Sequence, residues 1–168
     1  MTKTLLVLAS SLLLAGAAQA GGKPAPKPAA KPAVKEAPLK NQDKAGVTKA
    51  LTKAHWTAFL GACKADHIDE NCQFLHSVAD YKASPAKTKG VMAEKIMNYY
   101  IGPKSSNQVN ISGTQVTETE KAYAAAKKAK KYENNLFDIA DTEVMKMFVE
   151  GLTVSKPPHV TKMLGAMK

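Results

Sequence analysis

The sequence predicts an all-α fold: a bundle of amphipathic helices behind a disordered Lys/Pro/Ala-rich tether. Three observations carry that prediction. Apolar residues recur at three- and four-residue spacing in several separate stretches. Helix-starting and helix-stopping residues punctuate those stretches. No stretch reads convincingly as a strand, and no internal repeat is present.

The organising stretch is Asp69–Lys82. Asp69 is expected to cap a helix, because its carboxylate can accept from backbone N–H groups two or three residues on. Glu70 then falls in the first turn, where the helix dipole favours an anion. Phe74, Leu75, Val78 and Tyr81 follow at helical spacing and form one apolar face.

The other elements follow in chain order. Thr48 to Lys64 reads as one helix, with Leu51, Trp56, Phe59, Leu60 and Cys63 approximating an apolar face. A short break at Ala65–Ile68 precedes the organising helix. Ser84-Pro85 opens the next one, since Ser is a favoured cap and Pro suits the first turn. Met92, Ile96 and Tyr99 keep the helical period until Gly102-Pro103 stops it. Phe59, Phe74, Tyr99 and Phe148 are expected to share one interior. Residues 105–110 form a polar loop. The following helix has two candidate starts, because Ser112 with Gln115 and Thr117 with Glu120 each fit a capping box. It runs to about Lys131 and is polar and Ala-rich, and its Lys127, Lys128, Lys130 and Lys131 read as a solvated face. Leu136–Leu152 forms the last long helix, with Phe137, Ala140, Val144, Phe148 and Leu152 in register. Pro157-Pro158 ends it, and residues 159–168 add a short terminal helix.

The N-terminal residues read differently. Lys3, the Leu-rich run to Leu14 and Ala18-Gln19-Ala20 make a secretory leader with a small-x-small cleavage site. The run is too short for a convincing membrane span. The expected domains are a leader at 1–20, a tether at 21–45 and a helical domain at 46–168. Export to a periplasm or the cell exterior, after cleavage near Ala20, is the expected location. Pro24, Pro26, Pro28, Pro32 and Pro38 favour an extended, disordered tether. Stretched out, it reaches on the order of 75 Å. Its Lys23, Lys27, Lys31 and Lys35 suit contact with acidic envelope polymers; a solubilising leader is the plainer reading of the same residues.

Composition narrows the function classes. The formal net charge is +10, and all 24 basic residues are lysines. Without an arginine the chain lacks the bidentate fork that recognises phosphates and bases, so a nucleic-acid partner is not expected. A diffuse attraction to anionic surfaces remains compatible with the charge. The sequence contains no Gly-x-Ser-x-Gly elbow, no phosphate-cradling Gly loop and no metalloprotease His pair. No enzymatic activity and no cofactor are expected.

Taken together, the ordered elements resemble the regulator of G-protein signalling (RGS) family. The resemblance covers roughly Trp56 to Phe148. It rests on Phe59-Leu60, Asp69-Glu70-Asn71 with Phe74-Leu75, Tyr81-Lys82, Ser84-Pro85, and Ile96 with Tyr99-Tyr100-Ile101. Val109-Asn110-Ile111 and Leu136-Phe137-Asp138 with Ala140 extend it. It implies an antiparallel multi-helix bundle. Family members bind the switch regions of a Gα subunit and speed GTP hydrolysis without contributing an arginine finger. The resemblance places Glu70, Asn71 and Asn110 at partner-contact positions, where Asn amides can both donate and accept. The family's third contact region, an Asp-Ser-Tyr-x-Arg-Phe type motif, is replaced by Gly151-Leu152-Thr153-Val154-Ser155-Lys156. The acid, the arginine and the aromatic are all missing. The chain is also a few residues longer than the family spacing around Gly61–Ile68. An exported chain does not meet cytosolic Gα, so the expectation is a binding or scaffold module for a protein or envelope partner, with Gα activation as the alternative.

Cys63 and Cys72 are the only two cysteines. An even count in an exported chain suggests a disulfide. Two separate thiols are a second reading. A third joins Cys63 with His67 and Cys72 with His76, each pair one helical turn apart, in a tetrahedral metal or redox site.

Overall fold

The computed structural model describes residues 41–168, and among these there are seven α-helices, one π-helical turn and no strand. The expected leader and most of the expected tether lie outside the described residues. Asn41 and Asp43 already belong to the fold, so the helical domain starts a few residues before position 46. Asn41 donates its side-chain amide to the carbonyls of Leu164 (3.0 Å) and Met167 (3.1 Å), near the C-terminus. Asp43 caps helix α1 (Lys44–Ala50) by accepting from Gly46 N–H. Gly46 is obligatory there, because a Cβ would lie 2.0 Å from the Asn41 carbonyl oxygen.

The single helix expected over Thr48–Lys64 is two. After α1 the chain turns through buried Leu51, and α2 spans Trp56–Ala65. Thr52 sets the break: its hydroxyl donates to Lys49 O, and its carbonyl takes the N–H groups of both His55 and Trp56. The turn lets Trp56 stack on His76 at 3.8 Å between ring centroids.

Helix α3 (Asp69–Ala83) is central and packs on α2, α4 and α6. Its expected stripe is buried: Phe74, Leu75, Val78 and Tyr81 are at most 1% exposed. Its start is not as expected. Ile68 occupies the cap position, and Asp69 is already helical, its carboxylate accepting from Gln73 Nε2 at 2.7 Å. Ser84 also departs from expectation. It ends α3, donating back to the Asp80 carbonyl, and Pro85 holds the cap position of α4 (Ala86–Ile96).

The π-helical turn Met97–Ile101 continues directly from α4. Its extra residue rotates the following side chains relative to an α-helical register. Tyr100 and Ile101 therefore face inward, and Tyr99, expected in the interior, is 54% exposed. Tyr100 takes its place, edge-on to Phe74 at 5.7 Å. Phe59 and Phe148 share the interior as expected, 5.9 Å apart.

Of the two candidate starts of α5 (Gly113–Ala129), the Ser112–Gln115 box forms, with both reciprocal hydrogen bonds made. Helix α6 (Asp138–Val154) buries Ala140, Val144, Phe148 and Leu152, with Phe137 buried just before it. Tyr81 closes that end of the core. Its ring meets Phe137 edge-on at 5.2 Å, and its hydroxyl donates to the Glu133 carbonyl. Helix α7 (Pro158–Ala166) returns along α2 and α1, burying Val160 and Leu164.

Candidate functional site

Two junctions meet at one end of the bundle: α2 into α3, and α6 into α7. The first is a tight loop in which His67 adopts a left-handed conformation, φ 56°. Cys63 and Cys72, both fully buried, are joined across it by a disulfide. The loop is thereby held at both ends, which limits how far Asp66, Ile68 and Asn71 can move.

Asp66 crosses to the second junction. Its carboxylate, only 2% exposed, accepts from the N–H groups of His159 (3.3 Å) and Val160 (2.8 Å) and from the His159 ring (2.7 Å). Those are the second and third residues of α7, so Asp66 acts as an N-cap supplied from 93 residues away. Burial pushes the Asp66 carboxyl up, but the Val160 and His159 hydrogen bonds and the His159 charge outweigh it and hold the group below the ordinary value of 3.8.

Between the junctions lies a cleft of ≈ 320 Å³. Ile68, Met147, Phe148 and Leu152 supply apolar walls, Gly151 and Ser155 the α6 rim, and Pro157-Pro158 the far edge. Asn71 also lines it, and its buried Oδ1 has no hydrogen-bond donor among the described residues. Leaving such an acceptor unpaired costs roughly 1–3 kcal/mol, so the site favours a ligand that brings an N–H or O–H. Glu70 is half-buried beside Asn71 in the first turn of α3. Val154, at the end of α6, is 82% exposed.

The structure thus brings Asn71 together with the Gly151–Ser155 segment. Asn110 is elsewhere: exposed, on the loop after the π-helical turn, and not on the cleft. That loop is fixed by N–H bonds from Asn107 to Tyr99 O (3.1 Å) and from Val109 to Tyr100 O (3.0 Å), with Val109 buried. Tyr100 then contacts Phe74 of α3.

The family model for the regulator of G protein signaling domain matches residues 47–151. The chain belongs to this family. The match covers more than half of the 168 residues and ends at Gly151, on the rim of the cleft. No curated protein matches the sequence. Membership makes this RGS chain a helical regulatory or binding module on an antiparallel bundle.

The metal reading of the Cys/His pairs is not supported by the geometry. The Cys63 and Cys72 sulfurs are bonded to each other, so neither is a free thiolate. His76 lies flat on Trp56 with Nδ1 against the Leu51 carbonyl at 3.0 Å. Among the described residues, no group of three or more His, Cys, Asp and Glu side chains could hold a metal ion.

Sequence reasoning missed Asp66 and the proline edge. One local signal was available: α7 begins Pro157-Pro158 with no Ser, Thr, Asp or Asn at its cap position, which implies a cap from elsewhere in the fold.

Proposed function

We propose that this RGS-family chain is an exported, non-enzymatic binding module whose protein or envelope partner docks at the cleft between the start of α3 and the end of α6. The observation that carries the reading is the cleft itself. It pairs apolar walls with an unsatisfied acceptor on Asn71, and an exposed Val154 follows on α6. Hydrophobic surface beside a few polar groups, here Asp66, Asn71 and Ser155, is what a protein anchor residue fits.

The charge pattern supports a partner other than Gα. Gly151–Lys156 lacks the acid, arginine and aromatic of the family's third contact region. Only Lys156 carries a formal charge in that segment. Reading residues 1–20 as a leader supports the same choice, and residues 21–40 then give the domain reach to search for its partner. Among the described residues no helix is long and apolar enough to cross a membrane.

Gly151 provides the test, because a Cβ there meets nothing within 4 Å. Gly151 lines the cleft, so Gly151→Phe places a bulky side chain at its rim. Crosslinked capture from the chain's own envelope should recover a partner with the parent and at least tenfold less with Gly151→Phe, at unchanged helical circular dichroism. Equal recovery would refute the reading. Glu70, Asn71 and Asn110 favour GTPase activation as the second reading. Single-turnover GTP hydrolysis by a Gα subunit decides it: the proposal expects no acceleration. Acceleration that Asn71→Ala and Asn110→Ala both abolish would establish the alternative.

A further inference from the structure

We propose that the cleft receives a basic side chain, an arginine or a lysine, carried on an apolar surface of a protein partner. This deepens the proposed function and rests on it, since it names the chemistry of the anchor at the same site.

The first observation is an imbalance of donors and acceptors. Among the residues that line the cleft, Asp66 is the only one with a formal charge, and there is no Lys, Arg or His. The Asn71 Oδ1 is buried and has no donor among the described residues. The Asp66 carboxylate accepts from the His159 N–H, the His159 ring and the Val160 N–H. A carboxylate offers about four lone-pair sites, so one more donor can be taken. Its carboxyl is held below the ordinary value, which keeps it charged at neutral pH.

The second observation is the end of α6. A helix leaves its last carbonyls without intrahelical partners. In α6 the Gly151 carbonyl takes the N–H groups of both Ser155 (2.9 Å) and Lys156 (3.2 Å). Leu152 thereby loses its usual donor, Lys156. The usual donors for Thr153 and Val154 would be Pro157 and Pro158, which have no N–H to give. Among the described residues no backbone N–H reaches the carbonyls of Leu152, Thr153 or Val154. No basic residue stands in the last turn of α6, and exposed Glu150 lies just before it. A helix carboxyl end in that state favours a cation.

The third observation is shape. Arginine and lysine carry a long aliphatic stem behind a charged head. Ile68, Met147, Phe148 and Leu152 give the stem apolar walls in a volume of ≈ 320 Å³. The head brings only donors, as the acceptor-rich rim requires. A purely aliphatic anchor would fill the walls but leave the Asn71 Oδ1 unpaired. An acidic anchor would face Asp66 and the negative end of α6. The chain's net charge of +10 does not reverse this choice, because salt screens distant charges beyond about 8 Å and the groups lining the cleft decide.

The test titrates the isotopically labelled full chain with blocked pentapeptides, acetyl-Ala-Leu-X-Leu-Ala-amide, that differ only at X. With arginine at X, the amide signals of Asn71, Gly151 and Ser155 should shift saturably. Citrulline has the same shape without the charge and should bind about fivefold more weakly. Glutamate at X should give no saturable shift at these signals. Gly151→Phe should abolish the arginine-dependent shifts. Asn71→Leu should narrow the preference for arginine over citrulline to about twofold, at unchanged circular dichroism. Equal affinity for the arginine and citrulline peptides, binding of the glutamate peptide, or no saturable shift with any of them overturns the inference. The two readings fail separately. Partner capture that depends on Gly151, with no preference for arginine, keeps the proposed function and removes the basic anchor. A preference for arginine, with capture that ignores Gly151→Phe, keeps the basic-anchor cleft and removes the proposed docking.

Discussion

The long-range cap on α7 yields the most demanding prediction. In Asp66→Ala, the N–H groups of His159 and Val160 lose their acceptor, and the carboxylate no longer faces the positive end of the helix. Loss of an N-cap costs about 1 kcal/mol, and hydrogen bonds to a charged acceptor lie toward the upper end of the range. Val160 N–H at 2.8 Å is the stronger of the two bonds, and Val160 itself is fully buried. The expected loss is about 2 kcal/mol. Asp66→Asn keeps an acceptor but not the charge and should lose about 1 kcal/mol. The assay is urea denaturation at a series of pH values. Because the folded Asp66 carboxyl sits below its ordinary value of 3.8, its contribution is fully present above that value. It fades as pH falls through the folded pKa. The stability gap between the parent and Asp66→Asn should therefore be present at about pH 5 and close as pH falls through the folded pKa. A gap that is absent at about pH 5, or that widens below it, would refute the argument that this carboxylate holds α7.

Three further outcomes are expected. Mass spectrometry of the intact protein should show two hydrogens fewer than the dithiol form, and reduction should lower stability by about 2–3 kcal/mol, as the chain-entropy model gives for a loop closed over a separation of 9 residues. Burial, together with the charge of Glu133, pushes the Tyr81 hydroxyl up to about 12. Its neutral form thus contributes stability that is full below about pH 10 and is lost as pH rises toward 12, and ultraviolet titration should show this tyrosine ionising last; Tyr81→Phe should cost about 1 kcal/mol by removing the shorter of the two hydrogen bonds to the Glu133 carbonyl, the Leu136 N–H at 3.3 Å remaining. Alanine replacements at adjacent tyrosines should differ sharply in thermal denaturation, with Tyr100→Ala losing about 3 kcal/mol and Tyr99→Ala less than about 0.5 kcal/mol; equal losses would mean that the π-helical turn does not set the register.

What could be read without coordinates was whatever depends on neighbours three or four residues apart. The α3 stripe from Phe74 to Tyr81, the α6 stripe from Phe137 to Leu152 and a capping box beginning at Ser112 or Thr117 all follow from helical periodicity or from contacts within one turn. Errors arose where a local signal met a competing partner. Asp69 has the chemistry of a cap, but its carboxylate is engaged by Gln73. Ser84 also looks like a cap, yet its hydroxyl turns back to Asp80. The period through Tyr99 breaks because Met97–Ile101 takes one residue too many for its turn, burying Tyr100 and turning Tyr99 out.

The sequence by itself determined the family, the all-helical class and the positions of most core residues, because amphipathic period and the order of motifs are carried along the chain. Only the tertiary structure decided that Asp66 caps a helix 93 residues away and that Asn71 faces the end of α6 across a cleft while Asn110 lies on a different loop. The physical reason is that a hydrogen-bonding group takes whichever partner packing brings within about 3 Å, and for groups on different helices no local pattern encodes that choice.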